Sequence, residues 1–181
     1  MPKRRLTHEQ EFKNHPIATD SQTACDTATL ASIDTLLKNS LEKADCPRLL
    51  LFDIHFPIIR QDVNELFRDA QADFCKSQLR HGRTKTRYVG FKDTAAPNTI
   101  RLAVVYDSRT IRDNEVINET EEIVNRKIQD ELCPAVVRPV EDSSVFLNES
   151  NYNQCFYHAS KIARVATTPV TRQRVLFASK G

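Results

Sequence analysis

The chain has 181 residues and a mass of 20.7 kDa, the size of one ordinary domain with a tail. Its 40% hydrophobic and 28% charged residues exclude a chain disordered by composition. Gly82, Gly90 and Gly181 are its three glycines, too few and too scattered for a phosphate loop or a dinucleotide fingerprint, and the formal charge of +2 hides opposed blocks.

Residues 1–22 are polar, with Pro2, His15-Pro16 and a Ser/Thr cluster, and read as a mobile arm; residues 23–181 read as one domain. From Cys25 to Ala44, Leu30, Ile33, Leu36, Leu37 and Leu41 recur at helical spacing, with Asp20 or Ser21 as the expected cap. Leu49 to Phe56, between Pro47 and Pro57, reads as a central strand. A second helical stripe runs from Arg60 to Arg80 and ends at the turn His81-Gly82-Arg83. Thr86–Phe91 and Ile100–Tyr106 read as a hairpin. Val116–Leu132 reads as a third helix, Ser144–Leu147 as a short strand, Asn153–Val165 as a fourth helix and Arg174–Phe177 as an edge strand. This order implies an α+β fold, with a mostly antiparallel central sheet, helices on one side and a split βαβ layout.

The cysteines, Cys25, Cys46, Cys75, Cys133 and Cys155, form no CxxC and read as reduced, mostly buried thiols. The basic start is followed by no apolar run, so no secretory signal is expected. No stretch reaches the roughly 18 apolar residues of a membrane span. A cytoplasmic protein without membrane contact is the expectation. From Phe74 to Lys92 there are six Lys/Arg and no acid; from Asp107 to Glu149, eleven acids against five bases; from Ser150 onward, five bases and no acid. Such blocks suggest opposed faces, and a basic face can meet phosphate.

Four segments carry a resemblance. They are Arg48-Leu-Leu-Leu-Phe-Asp-Ile-His-Phe-Pro57, Arg87-Tyr-Val-Gly-Phe-Lys-Asp93, Leu102-Ala-Val-Val-Tyr-Asp107 and Phe156-Tyr-His-Ala-Ser-Lys-Ile-Ala-Arg-Val165. In order and spacing they resemble a bacterial prophage family related to filamentous-phage (inovirus) replication proteins. That family shows R-D-L-H-F-P, R-Y-V-W-x-R-E, H-Y-H-V-A-L-L-L-N and F-Y-x-x-S-Y-L-A-K. The resemblance spans roughly residues 25–178 and implies a rolling-circle initiator fold. In such enzymes two His on one strand and an acid hold a divalent metal, which neutralises charge on the scissile phosphate, and a helix Tyr attacks it.

The chain departs from that pattern at the chemistry. Thr99 and Arg101 stand where the resemblance places the two His, and Arg is never a metal ligand because it keeps its proton. Lys161 stands at the helix Tyr and Arg164 at the family Lys. The resemblance therefore implies a scaffold without its hydrolytic centre and with no cofactor. Asp53 and His55 share a strand face. They could hold a metal with Asp93, or hydrogen-bond within the sheet. Tyr157 is either a displaced nucleophile or a core or rim aromatic. Arg101 could attract phosphate, or pair with Asp53 or Asp93.

Lys85, Arg87, Arg101, Lys161 and Arg164 are the candidate basic groove for single-stranded DNA or RNA, with Tyr88, Phe91 and Tyr106 as possible stacking platforms. The leading expectation is a non-catalytic phage or mobile-element protein that binds nucleic acid. The alternative is an anti-CRISPR-like inhibitor that docks on a host nucleic-acid-guided defence complex. Its phosphate-imitating face would be Glu115, Glu119, Glu121, Glu122, Asp130 and Glu131. A residual metal-dependent nuclease using Tyr157 is the third reading.

Overall fold

The structure, a computed structural model, describes residues 5–56, 65–70, 73, 86–92, 96, 98–128, 134–166 and 175–178. Lys85, Asp93, Asp130, Glu131, most of the helix expected over 60–80 and the turn at 81–83 lie outside the described residues.

A five-stranded antiparallel sheet forms the centre of an α+β fold. Its spatial order is β10 (Val175–Ala178), β6 (Arg87–Lys92), β7 (Thr99–Asp107), β5 (Pro47–His55) and β8 (Val136–Phe146). β5 continues into α2, whose described helical residues are 65–70 and 73, before β6; α3 (Asp113–Asn125) lies between β7 and β8. β5 and β6 are therefore parallel with β7 between them, and β7 and β8 are parallel with β5 between them. These are two split βαβ units.

Helices cover both faces of the sheet, not the one side expected from the sequence. Leu50, Phe52 and Ile54 of β5 pack with Leu66, Phe67, Val116 and Ile123 under α2 and α3. Leu49 and Leu51 pack with Ile33, Leu37, Phe156 and Ala159 under α1 (Thr27–Lys43) and α4 (Tyr152–Ser160). Both parities of β5 are apolar from Leu49 to Phe52, as a strand buried on two faces requires.

Several boundaries differ from the sequence reading. α1 is capped by Asp26, whose Oδ1 accepts from Thr29 N at 2.9 Å and Thr29 Oγ1 at 2.8 Å. Asp20 is taken up earlier, in a turn where it accepts from Gln22 N at 2.8 Å, and β4 (Thr23–Asp26) intervenes before the helix. β8 is an eleven-residue strand rather than a short one. Against Leu50 and Phe52 of β5 it sets Ser144 and Pro139, so residues 140–143 form a bulge, with Asp142 at φ 53°. α4 stops at Ser160, and a 3-10 turn (Lys161–Ala163) leads into β9 (Arg164–Ala166).

β9 pairs with β4, and β4 with β1 (Leu6–Thr7), in a second sheet. Residues 5–22, expected to be a mobile arm, are thus built into the fold. β2 (Glu11–Phe12) and β3 (His15–Pro16) form a hairpin whose turn residues Lys13 and Asn14 have φ of 49° and 66°, the positive pair that a two-residue hairpin turn demands. The hairpin lies on α4, with the Phe12 ring 6.4 Å from Phe156 and His15 4.9 Å from Tyr152. Ile17 and Ala18 are buried, and Ala18 N donates to Ser160 Oγ at 2.8 Å. Burial pushes the thiols of Cys25 and Cys155 up to about 11, as small interior side chains.

Asp34 ties these parts together from α1. Its buried carboxylate accepts from Tyr152 Oη of α4 at 2.7 Å, from Lys13 Nζ of the hairpin at 3.2 Å and from Lys38 Nζ at 3.0 Å. Burial acts to raise its pKa, but those donors outweigh it and hold the carboxyl below 3.8. The lowered folded-state value means that Asp34 contributes stability above the ordinary carboxylate range, lost as pH falls through the folded pKa. Asp34→Asn is expected to lower unfolding free energy at pH 7 by about 1–3 kcal/mol. In urea titrations the gap between the two proteins should narrow as the pH drops below 3.8.

Candidate functional site

Where the apolar run of β5 ends, its side chains on the α1/α4 side become Asp53 and His55. Antiparallel register sets Asp53 opposite Arg101 of β7 on one edge and opposite Arg138 of β8 on the other. His55 lies opposite Thr99, and its Nδ1 is 3.1 Å from Thr99 Oγ1. Directly opposed residues share a sheet face, so this row faces the end of α4 and the turn that follows it.

An open cleft of about 530 Å³ occupies that space, lined in part by Leu51, Asp53, Arg101, Lys161 and Arg164. The switch from helix to 3-10 turn to strand brings Lys161 and Arg164 to the cleft. Arg164 ion-pairs with Asp20, and its Nε is 3.3 Å from Thr23 Oγ1. The bulge of β8 contributes Val140 to the wall. Asp142, on the same bulge, acts on His158: burial and Lys161 lower the imidazole pKa, and Asp142 partly opposes them. Burial raises the pKa of Asp53, while Arg101 and His55 pull it back toward its ordinary value.

Of the five residues expected to form a basic groove, Arg101, Lys161 and Arg164 do line one cleft, and Lys85 lies outside the described residues. Arg87 does not join them. It is buried at 6% exposure and lines a separate cleft between α1 and β6. Tyr157 is an exposed rim aromatic at 42%, one helical turn before Lys161 and so on the same side of the chain. Tyr88, Phe91 and Tyr106 are core residues, which removes them as stacking platforms.

The candidate metal set can be followed only in part. Asp53 and His55 share a face, His55 sits against Thr99, and Asp93 is outside the described residues. Among the described residues no cluster of three or more His, Cys, Asp or Glu could hold a cation. Much of the acidic face has structural work. Glu115 accepts from Arg112 N at 2.7 Å at the start of α3, and Glu121 accepts from Val137 N at 2.9 Å, joining α3 to β8. Glu119 is half-buried and borders a pocket in the core under α3, and Glu122 is exposed.

Sequence reasoning missed Thr23, which lines the cleft, and Arg138 and Asp20, which stand against its Asp53 and Arg164. Arg138 precedes Pro139 in a stretch with no clean alternation, so nothing marked it as a strand neighbour of Asp53. Asp20 and Thr23 fell within or beside the supposed arm. Comparison with protein-family models, curated proteins and solved structures returns no match. No helix among the described residues is long and apolar enough to cross a membrane.

Because Arg101 lowers the Asp53 pKa against the effect of burial, Arg101→Met is expected to move the Asp53 carboxyl titration upward by carbon-13 NMR. A raised folded-state pKa means that ionised Asp53 opposes folding above that pKa. The opposition disappears as pH falls into the ordinary carboxylate range. The variant's unfolding free energy should therefore rise more than the wild type's as pH is lowered through that window.

Proposed function

We infer that this chain binds single-stranded nucleic acid in the cleft between β5, β7 and the end of α4, without cutting it. It would serve as a non-catalytic, replication-initiator-like protein of a phage or other mobile element, acting in the cytoplasm. One observation carries the reading. Arg101 and Lys161, at the positions that the resemblance equates with a metal-binding His and the helix Tyr, line the same cleft although 60 residues separate them. Cations replace both metal ligand and nucleophile around one space, which suits holding a phosphate backbone rather than breaking it.

Arg164 and Arg138 extend the positive rim, and Asp53 and Asp20 moderate it. Tyr157 offers an exposed ring beside the cations, the pairing of stacking surface and charge that single strands use without regard to sequence. His55 and Thr99 satisfy one another at 3.1 Å, which supports a structural role for them.

The test is fluorescence anisotropy with a labelled oligothymidylate across a salt series, beside a cleavage assay with Mn²⁺. Four cations on phosphates would give log K against log salt a slope of about −3, and Lys161→Ala should flatten it by about 0.7. Tyr157→Ala should weaken binding by about 1–3 kcal/mol if a base stacks there. No covalent adduct is expected. Absence of binding at low salt, or binding indifferent to Lys161 and Arg101, overturns the interface; a Tyr157-dependent adduct overturns the non-catalytic part.

A further inference from the structure

The cation that does not reach this cleft has an environment of its own. On β6, Arg87 alternates with Tyr88 and shares its sheet face with Val89, which packs in the core under α1. Its register partner on β7 is Val105, four residues along the strand from Arg101. At about 3.4 Å per residue that separates the two rows by about 14 Å, so this is a second place on the sheet and not an arm of the first.

Arg87 is only 6% exposed, yet its Nε has no hydrogen-bond partner among the described residues. None of the described carboxylates pairs with it either: Asp34, the buried acid of α1, is taken up by Tyr152, Lys13 and Lys38. A buried guanidinium that meets no counter-charge among the described residues is unfavourable, because its desolvation is not offset by them. Arg cannot escape by losing its proton. A fold that retains such a group has a reason to meet an anion there.

The space for one is present. Arg87 lines a cleft of about 280 Å³ whose opposite wall is α1. Ser32, Thr35 and Asn39 line it from the helix, spaced three and four apart and so on one face. The hydroxyls of Ser32 and Thr35 now donate to Ala28 O and Ala31 O, both at 3.0 Å. Each hydroxyl can turn to a ligand, since its proton rotates to suit the acceptor. Asn39 adds a carboxamide with two N–H donors.

A planar carboxylate would use both oxygens on the guanidinium fork. A tetrahedral oxyanion keeps oxygens free to meet the helix as well. We propose that the cleft between α1 and β6 is a phosphate-group site, with Arg87 as its charged floor and Ser32, Thr35 and Asn39 as its polar wall. The group is either free inorganic phosphate or the terminal phosphate of a phosphomonoester. The site stands apart from the nucleic-acid reading and does not depend on it.

The test is thermal unfolding of the full chain in phosphate, in adenosine 5′-monophosphate, and in chloride at matched ionic strength, with calorimetric titration of the first two. At a hundredfold excess over its dissociation constant, a bound phosphate should raise Tm by about 5–10 °C over chloride. Arg87→Met should abolish that rise without lowering Tm in chloride, since it removes a buried charge that has no partner among the described residues. If Arg87→Met does not fold, Asn39→Leu on the helix wall provides the second reading, with phosphate affinity reduced several-fold. Tighter binding of the nucleotide than of phosphate would assign the site to a phosphomonoester, and the reverse to the free anion. Equal Tm in all three solutions overturns the proposal, as does a phosphate effect that survives Arg87→Met or, where that variant does not fold, Asn39→Leu.

Discussion

Strand β5 is hydrogen-bonded along both edges and packed on both faces, and everything else takes its position from that strand. Its partners β7 and β8 are set residue by residue, from Pro47 against Asp107 to His55 against Thr99 on one side. A slip of one residue would turn Leu50, Phe52 and Ile54 out of the core under α3 and put Asp53 and His55 into it. The register is thus held by burial, and the polar end of the same strand inherits its direction from the apolar end. The candidate cleft exists because the apolar run stops while the hydrogen-bonded ladder continues.

Charges are treated differently in different parts of the molecule, and the contrast is informative. Asp34 is buried and fully met, by a phenol and two ammonium groups from three different elements. It fastens the N-terminal hairpin and α4 to α1. Asp53 is half-buried and faces Arg101 across the strands, a partner that eases its ionisation without undoing the effect of burial. Arg87 is buried, and its Nε is unmet among the described residues. The first arrangement belongs to a structural anchor; Asp53 borders an open cleft, and Arg87 is a desolvated charge in the wall of another. Ligand binding draws on such groups, because a charge already desolvated by the fold has less hydration to lose.

The bulge in β8 and the 3-10 turn after α4 are the local irregularities that shape the cleft. Each interrupts a regular element beside Asp53. The bulge swings Val140 and Asp142 toward the end of α4, and the turn presents Lys161 and Arg164 in place of a further helical turn. Irregular backbone beside a candidate site is a common device for aiming side chains that a straight strand or helix would send elsewhere.

How much of this could be read from the sequence depended on the range of the interaction concerned. The apolar spacing of Leu30, Ile33 and Leu37, and the runs Leu49–Phe56 and Ile100–Tyr106, determined α1, β5 and β7 by themselves, because burial of a face imposes its period on the residues. The split βαβ order followed from those elements and their spacing. β8 was legible only at its end, since Pro139, the bulge and an edge position leave no alternation to see. The N-terminal hairpin was invisible for a related reason: Phe12, Ile17 and Ala18 are too few to form a pattern, and only α4 gives them a surface to cover. Lys161 and Arg101 could be named as candidates from the positions that the resemblance assigns them. Tertiary structure decided that they share one cleft, that Arg138 stands opposite Asp53, that Asp20 pairs with Arg164, and that Arg87 lies elsewhere. Charge placement across strands and between layers depends on register and packing, which no local stretch of residues contains.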